Sequence, residues 1–475
     1  MIVFKYSSIA VLALLLASCG QATKETQNST QVAIENVTTQ NPEIKTLTDI
    51  ALSGHHGYNI TRSLTTEIGA RPAGSANEAK ARKWAEAKFS ELGFKNIKTE
   101  IFTVEGWERG LESAQIISPS TQNLFVTALG GSVATPKGGI QAPVVYFKDF
   151  ESLKTAPEGG LDGKIVYISG KMKRARDGAG YGIANMKRRN GASEASKRGA
   201  LAVLIRSVGT DSHRFPHTGQ MRYAPDLKKI PIGAISAPDA DQLDRIFTSG
   251  KDVVIKLELG AHSTGDKISG NVMGEIVGTD HPEDIILIGA HLDSWDLGTG
   301  AIDDGAGVGI VMGAAQVLMQ SGLKPKRTIR VVLFGSEEIG LKGGFAYAKA
   351  HKFTDLDRHV LATESDFGAG KIYGLQTGKG EVNQAAIRAF ASEFKFLGID
   401  LIEGESTGGP DIIPLDAEGV PTIRLNQDGI DYFDLHHTPD DTFDKIDPDD
   451  MAQNVAAYAS LIWLASESSS KFKDK

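Results

Sequence analysis

The sequence predicts an α/β fold, in which a mostly parallel twisted sheet is sandwiched between helices and carries an inserted β-rich domain. From about residue 271 onward, short apolar strands alternate with helical stretches, which is typical of a parallel sheet covered on both faces. Residues 118–265 instead contain short apolar runs bounded by Gly, Pro and Asp, which indicates a separate β-rich block. The chain has 475 residues, so more than one domain is expected.

The first 47 residues are expected to precede the folded part. Lys5 is followed by an apolar run at residues 9–17 and by Ser18-Cys19, which predicts a secretory signal peptide at residues 1–19 that is too short to span a bilayer as a stable helix. The Leu-Ala-Ser-Cys phrase resembles the bacterial lipoprotein box, which implies lipidation at Cys19; the alternative is an ordinary signal peptide with an incidental cysteine. Residues 20–47 are rich in Gln, Thr, Asn and Glu and lack aromatic residues, which predicts a flexible stalk. We therefore expect an exported protein that an N-terminal lipid tethers to the membrane of a bacterial cell envelope, on its periplasmic or outer-membrane face.

Composition excludes some partners. The chain is 41% hydrophobic and 23% charged, with a formal net charge of -8, as in a soluble globular protein without the basic excess that nucleic-acid binding requires. It contains one cysteine, so no intrachain disulfide can form.

The elements of the first half follow from periodicity. Residues 76–92 predict a helix that Gly93 ends, and residues 97–104 predict a strand. Within the inserted block, strands are expected at 143–147, 163–168, 201–205 and 253–259, and a helix at 192–198. None of the candidate metal ligands lies in this block. His213 and His217 belong either to a lid loop that reaches over the active cleft or a partner subunit or, as we expect, to a surface loop.

The second half predicts strands at residues 285–288, 328–334 and 360–363 and helices at 308–319, 384–397 and 451–464. In such sheets ligands bind beyond the carboxyl ends of the strands. His291, the Glu337–Glu338 pair and Asp366 each follow one of these strands, so we expect their side chains to converge on one edge of the sheet.

Two motifs contain residues suited to metal chemistry. In GAHLDSWDLGTGAIDDGAG, His291 offers an imidazole nitrogen, Asp293 could accept the other ring N–H, and Asp303 lies in a glycine-rich turn from which a carboxylate could reach two ions. In FGSEEIG, Glu337 and Glu338 follow a strand. Either one binds metal while its neighbour takes a proton, or both are exposed and begin a helix.

Two further motifs leave alternatives open. In ATESDFG, Glu364 and Asp366 point to the same side of a strand and both are candidates for one ligand. In DYFDLHHTPDDTFD, His436 and His437 are adjacent candidates. Carboxylates and imidazoles in this number favour a two-metal hydrolase.

The phrases HLDSWD, GAIDDGAG, SEE, ESD and HHTPDDT, in this order, resemble the co-catalytic di-zinc exopeptidases of the secreted aminopeptidase type. The Ser-Trp-Asp and Glu-Ser-Asp phrases are most similar to the carboxypeptidase Q group of that family. The resemblance implies a zinc exopeptidase fold, with residues 48–117 as the N-terminal part of the catalytic domain and residues 266–475 as its main part. Residues 118–265 resemble a protease-associated domain in GLDGKIVYISG and KRGALAVLI.

The resemblance also implies the roles of individual residues. His291, Glu338, Asp366 and His437 would be terminal ligands of two Zn²⁺, Asp303 would bridge them, Glu337 would be the general base, and Asp293 would hold His291. The peptide after Asp303 is often cis in relatives. The implied substrates are short peptides, dipeptides included, cleaved by a hydroxide that bridges the metals.

Two other functions compete with this interpretation. A single-zinc acyltransferase of the glutaminyl cyclase type shares the fold but does not need the complete two-metal set. A non-catalytic surface binding protein would lack ligands, and this sequence lacks none of them. The sequence does not specify which peptide terminus is recognised, nor the oligomeric state, for which a homodimer is one option.

Overall fold

Three β-sheets form the framework of the protein in a computed structural model that describes residues 41–474. The predicted signal peptide, Cys19 and stalk residues 20–40 lie outside the described residues.

The strands are bounded as follows: β1 (Lys95–Glu108), β2 (Glu112–Ser118), β3 (Gln122–Leu124), β4 (Val126–Ala128), β5 (Ile140–Phe147), β6 (Ile165–Ile168), β7 (Ala202–Arg206), β8 (Ile232–Ile235), β9 (Val254–Leu259), β10 (His262–Ile276), β11 (His281–His291), β12 (Arg327–Phe334), β13 (His359–Glu364), β14 (Ile372–Thr377), β15 (Asp400–Ile402) and β16 (Ile423–Gln427).

The α-helices are α1 (Pro42–Ser53), α2 (His56–Glu67), α3 (Ala76–Leu92), α4 (Phe150–Lys154), α5 (Tyr181–Ser196), α6 (Ala237–Thr248), α7 (Ala306–Ser321), α8 (Lys342–His351), α9 (Glu381–Phe390), α10 (Ile413–Ala417), α11 (Tyr432–Leu435) and α12 (Pro448–Glu467). A π-helical turn, Ala301–Gly305, precedes α7, and 3₁₀ turns cover Leu356–Arg358, Ala391–Leu397 and Phe443–Lys445.

The sheet that carries the candidate ligands has five strands in the order β1-β10-β12-β11-β13. Strands β12, β11 and β13 are parallel, whereas β1, β10 and β12 pair antiparallel. The α/β class is confirmed, but this sheet is mixed rather than mostly parallel. Parallel neighbours require a crossover, which α7 supplies between β11 and β12 and α8 supplies between β12 and β13. Strand β10 instead enters this sheet from another sheet and runs antiparallel to both of its neighbours, β1 and β12.

Helix α7 lies in the core, where it packs against α1, α2, α12 and the sheet. Among the described residues, Ala301–Ser321 is the one helical stretch long and apolar enough to cross a membrane, yet 89% of its apolar window is buried inside the protein. It therefore has the character of a core helix.

The prediction of a flexible stalk as far as residue 47 is wrong for residues 42–47, which form the start of helix α1. The Asn41 side chain accepts hydrogen bonds from the N–H groups of Glu43 and Ile44, so the helix begins at Pro42. Ile44 and Leu47 are fully buried in contact with α7 and α12. Their partners are more than 250 residues away along the chain, so local composition did not reveal them.

The helix predicted at residues 76–92 is confirmed as α3. The Ser75 side chain accepts the N–H of Glu78 at its start, and Gly93 ends it in the left-handed conformation with φ of 92°. Helix α3 packs on β10 and β1.

The residues between β1 and β10, which we call the 112–261 region, form an eight-stranded sheet in the order β3-β2-β9-β5-β6-β7-β8-β4. The strands predicted in this region correspond to β5, β6, β7 and β9, and the helix predicted at 192–198 is the end of a longer helix, α5. Strands β5 to β8 are parallel and α4, α5 and α6 accompany them, so the region is α/β rather than β-rich. Its sheet begins at Glu112, before the expected boundary at residue 118. That it forms an independent domain stays a prediction.

Candidate metal centre

The predicted ligands converge at the carboxyl ends of the parallel strands. His291 is the last residue of β11, Glu337 and Glu338 follow β12, and Asp366 follows β13. Asp303 lies in the turn before α7, and the Asp303–Asp304 peptide is cis, in line with the resemblance. His437 follows α11.

The Asp303 carboxylate lies between two pairs of side chains. Its Oδ1 is 3.0 Å from Nε2 of His291, and that nitrogen is 3.7 Å from Oδ1 of Asp366. Its Oδ2 is 3.2 Å from Nε2 of His437, which is 3.0 Å from Oε2 of Glu338. One carboxylate therefore faces a histidine and a carboxylate on each side, as a residue that bridges two cations would.

The hydrogen bonds of the two imidazoles fit a metal site. Nδ1 of His437 is 3.3 Å from the Thr218 carbonyl oxygen, and Nδ1 of His291 is 3.0 Å from the Asp293 carbonyl oxygen. If each Nδ1–H donates to its carbonyl, both Nε2 lone pairs face carboxylate oxygens, an arrangement that a cation stabilises. Oε1 of the buried Glu338 also lacks a hydrogen-bond partner among the described residues.

Three groups of residues could each hold a metal ion, because the ligand atoms within each group lie within 4.8 Å of one another. The groups are Asp303 with His436 and His437, His291 with Asp303 and Glu338, and His291 with Asp304 and Asp366. Imidazole nitrogen and carboxylate oxygen are the donors that Zn²⁺ takes in catalytic sites, so the residues fit a zinc pair.

The structure separates the candidates that the sequence left open. Glu364 accepts the N–H of Asp411 at 2.8 Å, whereas Asp366 lies beside His291. The rings of His436 and His437 stack with their centroids 3.5 Å apart. Nε2 of His436 lies 3.6 Å from Asp303, but His437 is nearer to it and also reaches Glu338. Geometry thus favours Asp366 and His437.

Asp293 has a broader part than the one predicted. Its carboxylate accepts the N–H groups of Glu337 and Glu338 at 3.0 and 3.3 Å, and it lies 3.6 Å from Nδ1 of His291. The carbonyl of Asp293 is the nearer partner of that ring nitrogen. Asp293 thus connects the His291 strand end with the glutamate turn.

Burial and charge set the protonation of the site. Burial raises the pKa of Glu337 well above its usual value, and the carboxylates of Asp366 and Glu338 raise it further against the opposing effect of His291. Burial likewise raises the pKa of Asp366 to about 6. The pKa of Asp303 is well below its usual range because the adjacent imidazoles of His291 and His437 outweigh its burial. Burial lowers the pKa of His437, which favours the neutral imidazole that binds metals.

Two supporting residues were not identified from the sequence. The carboxylate of Asp441 accepts the N–H groups of Ile302 at 2.6 Å and Asp303 at 3.3 Å, and so holds the Asp303 turn. Arg71 is fully buried and donates to backbone carbonyls of the loops around the site: those of Gly69, Leu292, Thr299 and Gly300. Asp441 lies in a phrase that carried the resemblance, HHTPDDT, but no local pattern indicates the contacts of either residue.

The 112–261 region contacts the loop that carries His437. The Thr218 N–H donates to the His437 carbonyl at 3.0 Å, and Nδ1 of His217 is 2.8 Å from the His436 carbonyl oxygen. Nε2 of His217 is 2.7 Å from Oδ1 of Asp211. His217 is 1% exposed, so its placement in a surface loop was wrong, whereas His213 is exposed as expected.

The candidate ligands open onto a cavity of about 520 Å³. One wall comes from the 112–261 region and includes Tyr181, Arg188, Arg189 and Arg222. The opposite wall comes from the loops after β12 and β13 and from helices α8, α10 and α11, and it includes apolar side chains, among them Leu341, Phe345, Phe367, Ile413 and Phe433.

Comparison with known proteins gives a consistent result. The profile of peptidase family M28 matches residues 271–462. Human carboxypeptidase Q is 34% identical over 428 residues, which cover 89% of this chain and 88% of that protein. The crystal structure of a peptidase M28 precursor from Shewanella amazonensis SB2B is 47% identical, with a TM-score of 0.88, and the match covers 90% of this chain and 96% of that one.

A zinc aminopeptidase from Bacillus subtilis, BSAP, has the same fold at 22% identity, with a TM-score of 0.64 over 88% of this chain and 97% of that one. At that identity the likeness concerns the fold alone.

Proposed function

Because the chain belongs to peptidase family M28 and is a metallo-exopeptidase, we propose that it removes terminal residues from short peptides, dipeptides included, with two zinc ions per chain. His291 and Asp366 would hold one ion, Glu338 and His437 the other, and Asp303 would bridge both. The observation that carries the proposal is the Asp303 carboxylate, whose two oxygens face separate histidine–carboxylate pairs.

Bound zinc supplies Lewis acidity, which lowers the pKa of a water molecule and polarises a carbonyl group. Glu337 accepts the proton of the attacking water and returns it to the leaving amine. Burial raises the pKa of Glu337, which makes its carboxylate a stronger base. Asp293 positions Glu337 through the hydrogen bond to its backbone N–H.

The test of the general base is Glu337→Gln. The amide cannot take a proton, so kcat should fall about 10²–10⁴-fold, while zinc content measured by mass spectrometry stays at two ions per chain. Glu258→Gln, at an exposed position of β9, is the matched control and should leave both quantities unchanged. Unchanged kcat in Glu337→Gln would reject the assignment.

The substrate class is tested separately, with purified zinc-loaded enzyme and a series from dipeptides to decapeptides. We expect products that differ from the substrate by one terminal residue, identified by mass spectrometry. Internal cleavage of the decapeptide, or the absence of cleavage throughout the series, would overturn the proposed function.

We propose further that Cys19 is lipidated and anchors the enzyme in the cell envelope. The support is the Leu-Ala-Ser-Cys phrase after a short apolar run. Expression in a bacterial host with a radiolabelled fatty acid should label the wild-type protein and recover it with membranes. Cys19→Ala should abolish the label; label on that variant would contradict the assignment.

A further inference from the structure

Four arginine side chains line the cavity above the carboxylates: Arg188, Arg189, Arg222 and Arg424. The cavity therefore presents cations to a ligand, although its floor is acidic and the chain as a whole carries a net charge of -8. Among the described residues, two of these arginine side chains have a polar or aromatic partner in another side chain, and the other two have none.

Arg188 and Arg424 already have partners. Arg188 is 4% exposed; it donates to the Tyr181 hydroxyl and lies 3.4 Å from Nδ1 of His437. Arg424 lies over the Phe367 ring, 5.7 Å from its centroid. Its charge also lowers the pKa of Asp366, against the larger effect of burial. The side chains of these two arginines are therefore already engaged around the metal centre.

The side chains of Arg189 and Arg222 have no hydrogen-bond or ion-pair partner between residues 41 and 474. The backbones of the two residues are adjacent, because the Arg222 N–H donates to the Arg189 carbonyl at 3.1 Å. Both are exposed and both belong to the 112–261 region. Two guanidinium groups thus face the cavity with their donors uncommitted.

Arg222 also lies close to the glutamate turn. A Cβ placed on Gly340 would be 3.2 Å from Nη2 of Arg222, and the Gly340 N–H donates to the Glu337 carbonyl at 2.7 Å. The uncommitted donors of Arg222 therefore stand at the cavity wall beside the turn that carries the residue proposed as general base.

We propose that Arg189 and Arg222 bind the free α-carboxylate of the substrate and so select short peptides by their carboxyl terminus. This inference rests on the proposed exopeptidase function. A guanidinium group binds a carboxylate through paired N–H donors, and the terminal carboxylate is the anion that every unmodified short peptide carries.

The experiment compares a dipeptide with its C-terminal amide, which has the same side chains and a free amino group. In the zinc-loaded wild type, kcat/KM for the dipeptide should exceed that for the amide by about tenfold to a hundredfold, as expected for charge-assisted hydrogen bonds. In the double variant Arg189→Gln/Arg222→Gln this ratio should approach one, mainly through a higher KM for the dipeptide. Arg222→Lys, which keeps the charge, should retain part of the preference.

Arg245→Gln is the control. Arg245 is an exposed arginine of α6 whose side chain is hydrogen-bonded only to Gln242 among the described residues. The ratio of kcat/KM for the dipeptide and the amide should stay at its wild-type value in this variant. A wild type that cleaves dipeptide and amide equally well would overturn the carboxylate site and leave the exopeptidase function standing. A double variant that loses both activities in equal proportion would also overturn it, since the arginines would then be structural. Failure of the wild type on both peptides would overturn the function on which the inference rests.

Discussion

The two walls of the active cleft differ in what they contribute. The stretch that matches the family profile, residues 271–462, holds every residue proposed to bind zinc or to move a proton. The 112–261 region holds none of these, yet Thr218 fixes the His437 ring and Arg189 and Arg222 face the cavity. One wall supplies the chemistry, whereas the other supplies positioning and selection.

The difference corresponds to how each wall is built. His291, Glu338 and Asp366 are held at the ends of parallel strands whose registers align them, which gives precision without any help from the other wall. His437 instead follows the four-residue helix α11 and depends on contacts across the cleft. We therefore expect substitutions in the two walls to affect zinc binding to different extents.

The largest effect is expected from Asp303→Asn. An amide cannot bridge two cations with a delocalised negative charge, so both zinc ions should bind more weakly and turnover should fall about 10³-fold or more, which corresponds to several kcal/mol. Zinc per chain, measured by mass spectrometry after dialysis, should fall below two. Asp252→Asn, at an exposed position outside the site, provides the control. Retention of two tightly held ions would mean that Asp303 does not bridge.

A smaller and more selective effect is expected from His217→Ala. Its hydrogen bond supports the His436 carbonyl and the loop that carries His437, and loss of such support typically weakens metal binding by about tenfold to a hundredfold. Only the ion beside His437 and Glu338 should be affected, so zinc titration followed by calorimetry should resolve one weakened and one unchanged site. His213→Ala, at an exposed nearby position, should bind both ions normally. Equal weakening of both sites would contradict a division of labour between the walls.

The sequence was sufficient to place the strand-end candidates at one edge of a sheet, because that placement depends on local features. Alternating strands and helices place His291, Glu338 and Asp366 at one edge of a sheet, and the structure brings them together there. The same local pattern could not separate Asp366 from Glu364, since that choice depends on the hydrogen bond between Glu364 and Asp411, which is 47 residues away.

Contacts between distant segments could not be predicted. His217 contacts a carbonyl 219 residues further along the chain, and Asp441 accepts an N–H group 138 residues before it. Periodicity reports which face of an element is buried and not which segment covers it. For the same reason the start of α1 was placed in the stalk and His217 in a surface loop.

The effect expected to disturb the metal centre least concerns stability and belongs to the 112–261 region alone. Lys187 is 3% exposed, and its Nζ donates to the Ser169 carbonyl at 2.8 Å and also to that of Gly170. Burial lowers the pKa of Lys187 to about 7 from its usual 10.5, and the nearby Arg206 lowers it further. Between these values the unfolded chain binds a proton that the folded chain does not. The penalty for burying this lysine is therefore fully present below pH 7 and is relieved as the pH rises.

Urea unfolding of the wild type and of Lys187→Met, compared from pH 7 to pH 10, tests this linkage. The free energy of unfolding of the wild type, relative to the variant, should rise by about 1.4 kcal/mol per pH unit. The control is Lys256→Met, at an exposed position of β9. The difference in unfolding free energy between the wild type and this variant should not change with pH. Zinc content should stay the same in all three proteins, because Lys187 contacts none of the proposed ligands. If the difference from the wild type changed with pH equally for the Lys256 and the Lys187 variants, the pH dependence would arise elsewhere. A change in zinc content would show that the two walls are coupled more tightly than their contacts indicate.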